Sequence, residues 1–400
     1  MSQGIGGSTA EHELAALRRW PQQAARIGAE ERAHRLKRAR ALMADAGVDA
    51  LVINAGASLR YFSGLPWAPT ERLIVLLVRP SGPPVLVCPQ FELGSVEAGL
   101  GVLADVRTWE EHDSPHALLA DSLREVGARR IAVDPQMPFC HIQALRQAAP
   151  GVELIDAAPV IDGCRMHKSQ AELALIRQAM AMTLEVHRRA AAILRPGVST
   201  ANVRRFIDEA HRALGADNGS TFCAVQFGQA TCYPHGVPGE QLLARGDLVL
   251  IDTGCTVDGY HSDITRTYVF GAPTVEQSAV WQLEREAQQA AFDAVRPGYP
   301  CETVDAAART VLTRAGFGPD YRLPGLPHRT GHGIGLAIHE AAYLVRGDRT
   351  PLAPGMCFSN EPMIVVPGRF GIRLEDHFHV TERGAQWFTP PSPSLAAPFG

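Results

Sequence analysis

The stretch Ser359–Gly368 reads SNEPMIVVPG, which sets the carboxylate of Glu361 against an apolar, β-branched run with the composition of a buried strand. A buried carboxylate is costly unless another charge or a metal ion answers it. The same conflict recurs along the chain. Asp252 ends the run LVLID, Asp263 lies across a glycine-containing hairpin in HSDITRTYVF, and Glu375 lies in GIRLEDHFHVT. A chain with acids built into such segments has to fold so that they share counter-ions, and this restricts the fold more than any other feature.

Around these segments the pattern divides in two. Up to about residue 160, strands and helices alternate, which predicts an α/β domain. Residues 30–48 read as a helix ending at Gly47, DALVIN as a strand, and RLIVLLVRPSGPPVLVCP as two strands around a Ser-Gly-Pro-Pro turn. ALLADSLREVGA and HIQALRQAAPG read as helices on either side of the strand RRIAVD. Near Arg165 the texture changes to longer helical periodicity, with Ser169 as N-cap and Glu172 three residues on. A second helix, STANVRRFIDEAHRAL, leads to the strands STFCAVQFG, DLVLIDTG and HSDITRTYVF. A helix pair over about 275–316 leads to MCFSNEPMIVV and GIRLEDHFHVT. Each half of this region has two helices joined by Arg-Pro-Gly and then acid-bearing strands, so an internal repeat is expected. Because 400 residues exceed one ordinary core, two domains are expected, 1–164 and 165–400.

Composition narrows the class. A net charge of −4 offers no reason to expect nucleic acid or an anionic membrane as partner. No apolar run approaches the roughly 20 residues that span a bilayer, and the first residues lack the basic start and apolar core of a signal peptide. A cytoplasmic protein is expected. The eight cysteines form no Cys-x-x-Cys pair and lie mostly in apolar runs, which predicts buried free thiols.

The chemistry-bearing set is Asp252, Asp263, His332, Glu361 and Glu375. His332 sits in TGHGIG, where flanking glycines allow close approach of backbone and ligands. One Asp at a strand end is usually a cap, and one Gly-His-Gly is usually a loop; the argument rests on the ordered set. Oxygen-rich donors with one imidazole suit two divalent ions such as Mn, Co or Zn. Two ions roughly 3.5–4 Å apart can share a water and polarise a carbonyl, which is the chemistry of a hydrolase.

The motifs Ile251-Asp252-Thr253-Gly254, Ser262-Asp263-Ile264-Thr265-Arg266-Thr267, Gly331-His332-Gly333-Ile334-Gly335, His339-Glu340, Asn360-Glu361-Pro362 and Arg373-Leu374-Glu375-Asp376 resemble those of the pita-bread metallopeptidases. They look most like the proline-specific branch, Xaa-Pro dipeptidase (prolidase) and aminopeptidase P. The resemblance implies an α/β creatinase-like amino-terminal domain followed by an α+β pita-bread catalytic domain with an internal pseudo-twofold repeat. It implies that Asp252 ligates one metal, that Asp263 and Glu375 bridge, and that His332 and Glu361 hold the other. Glu361 would also act as general base toward the bridging water. His235 would bind substrate, His339 would stabilise the tetrahedral intermediate or hold the residue after the scissile bond, and Arg373 would support the carboxylates. The implied substrate is a small peptide with proline second, most simply a dipeptide, and the implied assembly is a homodimer. Aminopeptidase P is the alternative, as are another amidase or lyase on the same scaffold and a non-catalytic binding module. His261, His377 and His379 share faces with these acids and are expected at the rim, whereas Glu340 and Asp376 are expected to point away. Val365 stands where the family has a proton-shuttling tyrosine, and Ala342 where His-Glu-x-Pro has its proline.

Overall fold

The computed structural model describes residues 4–400. The chain forms two compact units, one of Ile27–Arg165 and one of Met166–Gly400 together with the segment ending at Arg26. That leading segment carries a short helix, Ala10–Ala16, capped by the Thr9 hydroxyl. Its seven residues are too few to show periodicity, but Glu13 pairs with Arg189 at 2.7 Å and the helix packs on Thr200–Leu214.

In the first unit, Ala50–Asn54 (β1), Val75–Val78 (β2), Val85–Pro89 (β3), Asp105–Trp109 (β4), Arg130–Val133 (β5) and Glu153–Asp156 (β6) form one sheet in the order β4-β3-β2-β1-β5-β6. The β1–β2 and β2–β3 pairs are antiparallel and the others parallel. Every residue of β1, β2 and β3 is buried, which is why these runs are apolar throughout rather than alternating. The sequence does not announce β4 and β6, which are mostly half-exposed and lack that signature.

The second unit begins with the helix Gln170–Ala192, whose Ser169/Glu172 capping box forms as the spacing predicts. Its strands are Ser220–Phe227 (β7), Leu248–Val257 (β8), Tyr260–His261 (β9), Ile264–Val269 (β10), Gly331–Gly333 (β11), Glu340–Leu344 (β12), Cys357–Asn360 (β13), Met363–Val366 (β14), Phe370–Arg373 (β15), Asp376–Thr381 (β16) and Gly384–Trp387 (β17). One sheet has the order β10-β8-β7, with β9 folded back on β8; a second has the order β12-β11-β13-β16-β17; β14 and β15 form a two-stranded ribbon. The antiparallel pairs β8–β10 and β13–β16 are the repeated acid-bearing strands.

Two segments read as single strands are in fact broken. The run MCFSNEPMIVV leaves one sheet after Asn360 and enters the ribbon at Met363; GIRLEDHFHVT leaves the ribbon after Arg373 and enters the sheet at Asp376. Pro362 has no N–H to give to a ladder and restricts the residue before it, so the first break falls at Glu361-Pro362. Both breaks release an acid from strand geometry. At the second, the Glu375 N–H donates to the Thr265 carbonyl at 3.1 Å, a single bridge that joins the two sheets at β10. Val365 is buried in the core with Phe370, Ile372 and Leu374, and its backbone pairs with Gly325. All eight cysteines are free, and six of them are buried.

Candidate active site

The eight side chains singled out by sequence, His235, Asp252, Asp263, His332, His339, Glu361, Arg373 and Glu375, all line one cavity of about 630 Å³. The backbone brings them there by close packing. A Cβ on Gly254 would lie 1.9 Å from the Ser262 carbonyl oxygen, and one on Gly331 would lie 2.0 Å from that of Ser359. Only glycine lets β8 and β11 approach the neighbouring chain so nearly.

His332 has a defined orientation. Its Nδ1 lies 3.0 Å from the Gly333 carbonyl, which makes Nδ1 the proton-bearing nitrogen and leaves Nε2 as an acceptor facing the cavity. Nε2 lies 3.2 Å from Glu361 Oε1 and 3.7 Å from Asp263 Oδ2. The Ser359 hydroxyl accepts from the His332 backbone N–H at 2.8 Å and donates to Glu361 Oε1 at 3.1 Å, tying the His332 backbone and the carboxylate to one residue of β13. Glu375 receives the Thr265 hydroxyl at 2.7 Å. Arg373 Nη2 lies 2.5 Å from Asp252 Oδ2, while its Nε donates to Thr265 Oγ1 at 3.1 Å.

Behind the acids lies a buried polar scaffold. Gln288, on the helix Val275–Ala294, directs its amide N–H groups at the carbonyls of Asn360 and Leu374, at 3.3 and 3.2 Å, and at Asp376 Oδ2 at 3.1 Å. Those carbonyls belong to the residues immediately before Glu361 and Glu375. Arg266 pairs with Asp376 at 2.7 Å and donates to the Glu375 carbonyl at 2.9 Å. Lys168 pairs with Glu340 at 3.0 Å, and Glu340 also accepts from the Ala337 N–H, shaping the loop that presents His339. Glu340 and Asp376 therefore stay out of the cavity, as their alternation in sequence indicates.

Electrostatics show what the cluster needs. Burial, then the charges of Glu375, Asp252 and Glu361, raise the Asp263 carboxyl well above its ordinary range. Burial, then Glu361 and Asp252, do the same to Glu375. Glu361 is pushed up to about 7, chiefly by burial and against the pull of Arg373. Burial, with His377 and His339 nearby, holds His332 far below its usual value and so neutral. Asp252 Oδ1, Asp263 Oδ1 and Glu375 Oε1 are buried without a hydrogen-bond partner. Unpaired, mutually repelling carboxylate oxygens beside a neutral imidazole acceptor are the donors a divalent cation requires, and they fit a metal centre.

Two histidines depart from the expected rim positions, and two further residues of the cavity carry no motif. His377 is not at the rim: it is wholly buried, with Nε2 3.9 Å from Glu375 Oε1. His379 is also buried, its ring tilted against Phe388 at 5.1 Å. His261 is half-buried in β9. His328 and Arg329, unremarked in the sequence, line the cavity; their position just before Thr330-Gly331-His332 was the available signal. Burial, then Arg373, pulls His328 down to about 4. Arg329 lies over the Tyr343 ring, 4.4 Å from its centroid, and forms no ion pair among the described residues. Val365 does not line the cavity; the imidazoles of His235, His328 and His339 do.

Comparison with known proteins places this geometry. Residues 174–382 match the model of metallopeptidase family M24, and residues 35–167 match that of the creatinase/prolidase N-terminal domain. The chain is 40% identical over 363 residues to the probable dipeptidase PepE of Mycobacterium tuberculosis, covering 90% of this chain and 95% of the relative. It is 32% identical over 350 residues to the Xaa-Pro dipeptidase of Lactobacillus helveticus, covering 86% and 94% respectively. The crystal structure of dipeptidase PepE from Mycobacterium ulcerans superposes with a TM-score of 0.85 at 39% identity, over 94% of this chain and 100% of that one.

Proposed function

The chain belongs to metallopeptidase family M24, and from that premise we propose that it hydrolyses Xaa-Pro dipeptides at a centre of two divalent ions, Mn, Co or Zn. The observation that carries the reading is the convergence of Asp252, Asp263, His332, Glu361 and Glu375 on one cavity with carboxylate oxygens left unpaired. Asp252 would hold one ion, Asp263 and Glu375 would bridge, and His332 and Glu361 would hold the other. When bound, such ions supply Lewis acidity toward a carbonyl and lower the pKa of water.

The chain's own groups supply the rest. Glu361, which lines the cavity beside His332, would accept the proton of the attacking water. Arg373 keeps Asp252 in place and offsets part of the negative charge. His339 and His235, exposed at the cavity, can donate to the carbonyl oxygen as charge develops there. Phe222, Pro234, Pro327 and Ile338 form apolar walls suited to a proline ring. Arg329, unpaired and steadied by Tyr343, is placed to take a free α-carboxylate, which favours a dipeptide over a longer peptide. Free cysteines throughout support a reducing, cytoplasmic setting, and no helix among the described residues is long and apolar enough to cross a membrane. A homodimer is the assembly that the family resemblance supports.

The test compares an Xaa-Pro dipeptide with an Xaa-Pro-Xaa tripeptide after the metal-stripped protein is given Mn, Co or Zn. Cleavage confined to the dipeptide is expected. Preference for the tripeptide would point to an aminopeptidase P activity, and cleavage of neither would sink the proline-specific reading.

A further inference from the structure

We propose that His377 is a further ligand of the metal centre, so that one ion is held by two imidazoles. The inference rests on the reading of the cavity as a metal site, but on residues outside the five-ligand set.

Strand geometry supplies the placement. Asp376 opens β16 with its side chain turned to Arg266, 2.7 Å away, which sets the rotation of the strand. His377 therefore faces the opposite way, the way Glu375 faces. The ring is fully buried, yet neither Nδ1 nor Nε2 has a hydrogen-bond partner. Buried polar groups are normally satisfied, and the other buried histidines of this unit have at most one ring nitrogen without a partner, as His187 Nδ1 and His379 Nδ1 do, whereas both are left over on His377. His211 contacts Thr183 and Ser220 through its two nitrogens, at 3.0 and 2.9 Å, and His187 meets the Ile264 carbonyl at 2.9 Å. His377 instead directs Nε2 toward Glu375 Oε1, which is unpartnered as well. The backbone carbonyl of Asp263 also faces the ring, where it can orient the nitrogen that does not bind metal.

One donor atom each from Asp263, His332, Glu375 and His377 lies within 4.8 Å of the others. With bonds of about 2.0–2.2 Å, tetrahedral donors on one ion lie about 3.3–3.6 Å apart. The His332–Asp263 and His377–Glu375 pairs, at 3.7 and 3.9 Å, are within a few tenths of an ångström of that, and the wider pairs need to draw in by about an ångström. A second imidazole also alters preference, because nitrogen donors favour Zn and Co over Mn.

The test titrates metal-free protein with Zn, Co and Mn salts by calorimetry. It also counts the imidazole nitrogens coupled to one equivalent of Mn by pulsed electron paramagnetic resonance, using 15N-histidine to assign them. Two nitrogens on one ion are expected in the wild type and one in His377→Gln, with Zn affinity weakened in the variant beyond the roughly 10–100-fold that loss of an outer-shell partner costs and a smaller loss for Mn. A single nitrogen in the wild type overturns the assignment, even if the variant fails to fold. An unchanged Zn affinity in a variant that melts like the wild type without metal overturns it too. Failure of the wild type to bind any of the three ions would instead overturn the metal centre itself.

Discussion

Arg329 and Arg373 show how two like residues in one cavity take different tasks. Arg373 is committed to Asp252 and Thr265, whereas Arg329 spends its planar face on Tyr343 and leaves its N–H groups for an anion. For an Xaa-Pro dipeptide and its C-terminal amide, we expect the wild type to favour the free acid. Arg329→Met should raise KM for the acid about 10–100-fold, the worth of a charged hydrogen bond of roughly 1.5–3 kcal/mol, with KM for the amide nearly unmoved. Equal cleavage of acid and amide by the wild type would contradict that role. At this scale the acids were legible, because a charge inside an apolar run demands a partner. Arg329 and His328 were not, because cavity lining is no property of a residue's neighbours in sequence. Val365 shows the same limit: its place in the family motif suggests a part in catalysis, while its packing is that of a core residue.

Between residues and fold, the decisive elements are the two strand breaks. Glu361 and Glu375 face one cavity because β13 and β16 lie side by side and each is interrupted at its acid. Pro362 hinted at the first break; nothing near Glu375 hinted at the second, which depends on the chain switching from ribbon to sheet. Gln288 holds both from behind, and its spacing within an amphipathic helix is indistinguishable from that of any buried position. Gln288→Leu would strand three buried acceptors at the cost of one side chain of similar size. We expect a loss of roughly 1–3 kcal/mol in stability, read as a lower melting temperature, with weaker metal retention on dialysis. Unchanged melting would mean that the ribbon and the sheet hold the acids unaided.

Over the whole molecule, acid sensitivity follows from histidines buried as neutral rings. Burial holds His211 down to about 4, against 6.5 for an exposed ring, and His187 down to about 3. As pH falls below about 6.5, the unfolded chain takes these protons before the native one does, so stability drops progressively, until about pH 4 for His211 and about pH 3 for His187. Above pH 6.5 these groups leave stability unchanged. The His211 contribution reaches about 3 kcal/mol at most, and His211→Gln should flatten the fall in urea midpoint between pH 6.5 and 4. A variant with the same slope as the wild type would remove His211 as its source. The sequence by itself determined the order of the longer helices and apolar strands, the Ser169 cap and the identity of the converging acids, since periodicity, capping and misplaced charge are local signals. Tertiary structure alone decided that His377 is buried beside Glu375 rather than at the rim, that the leading helix joins the second unit, and which buried groups brace the site. Strand alternation tells which way a side chain faces, but only the packing of distant segments determines what covers it.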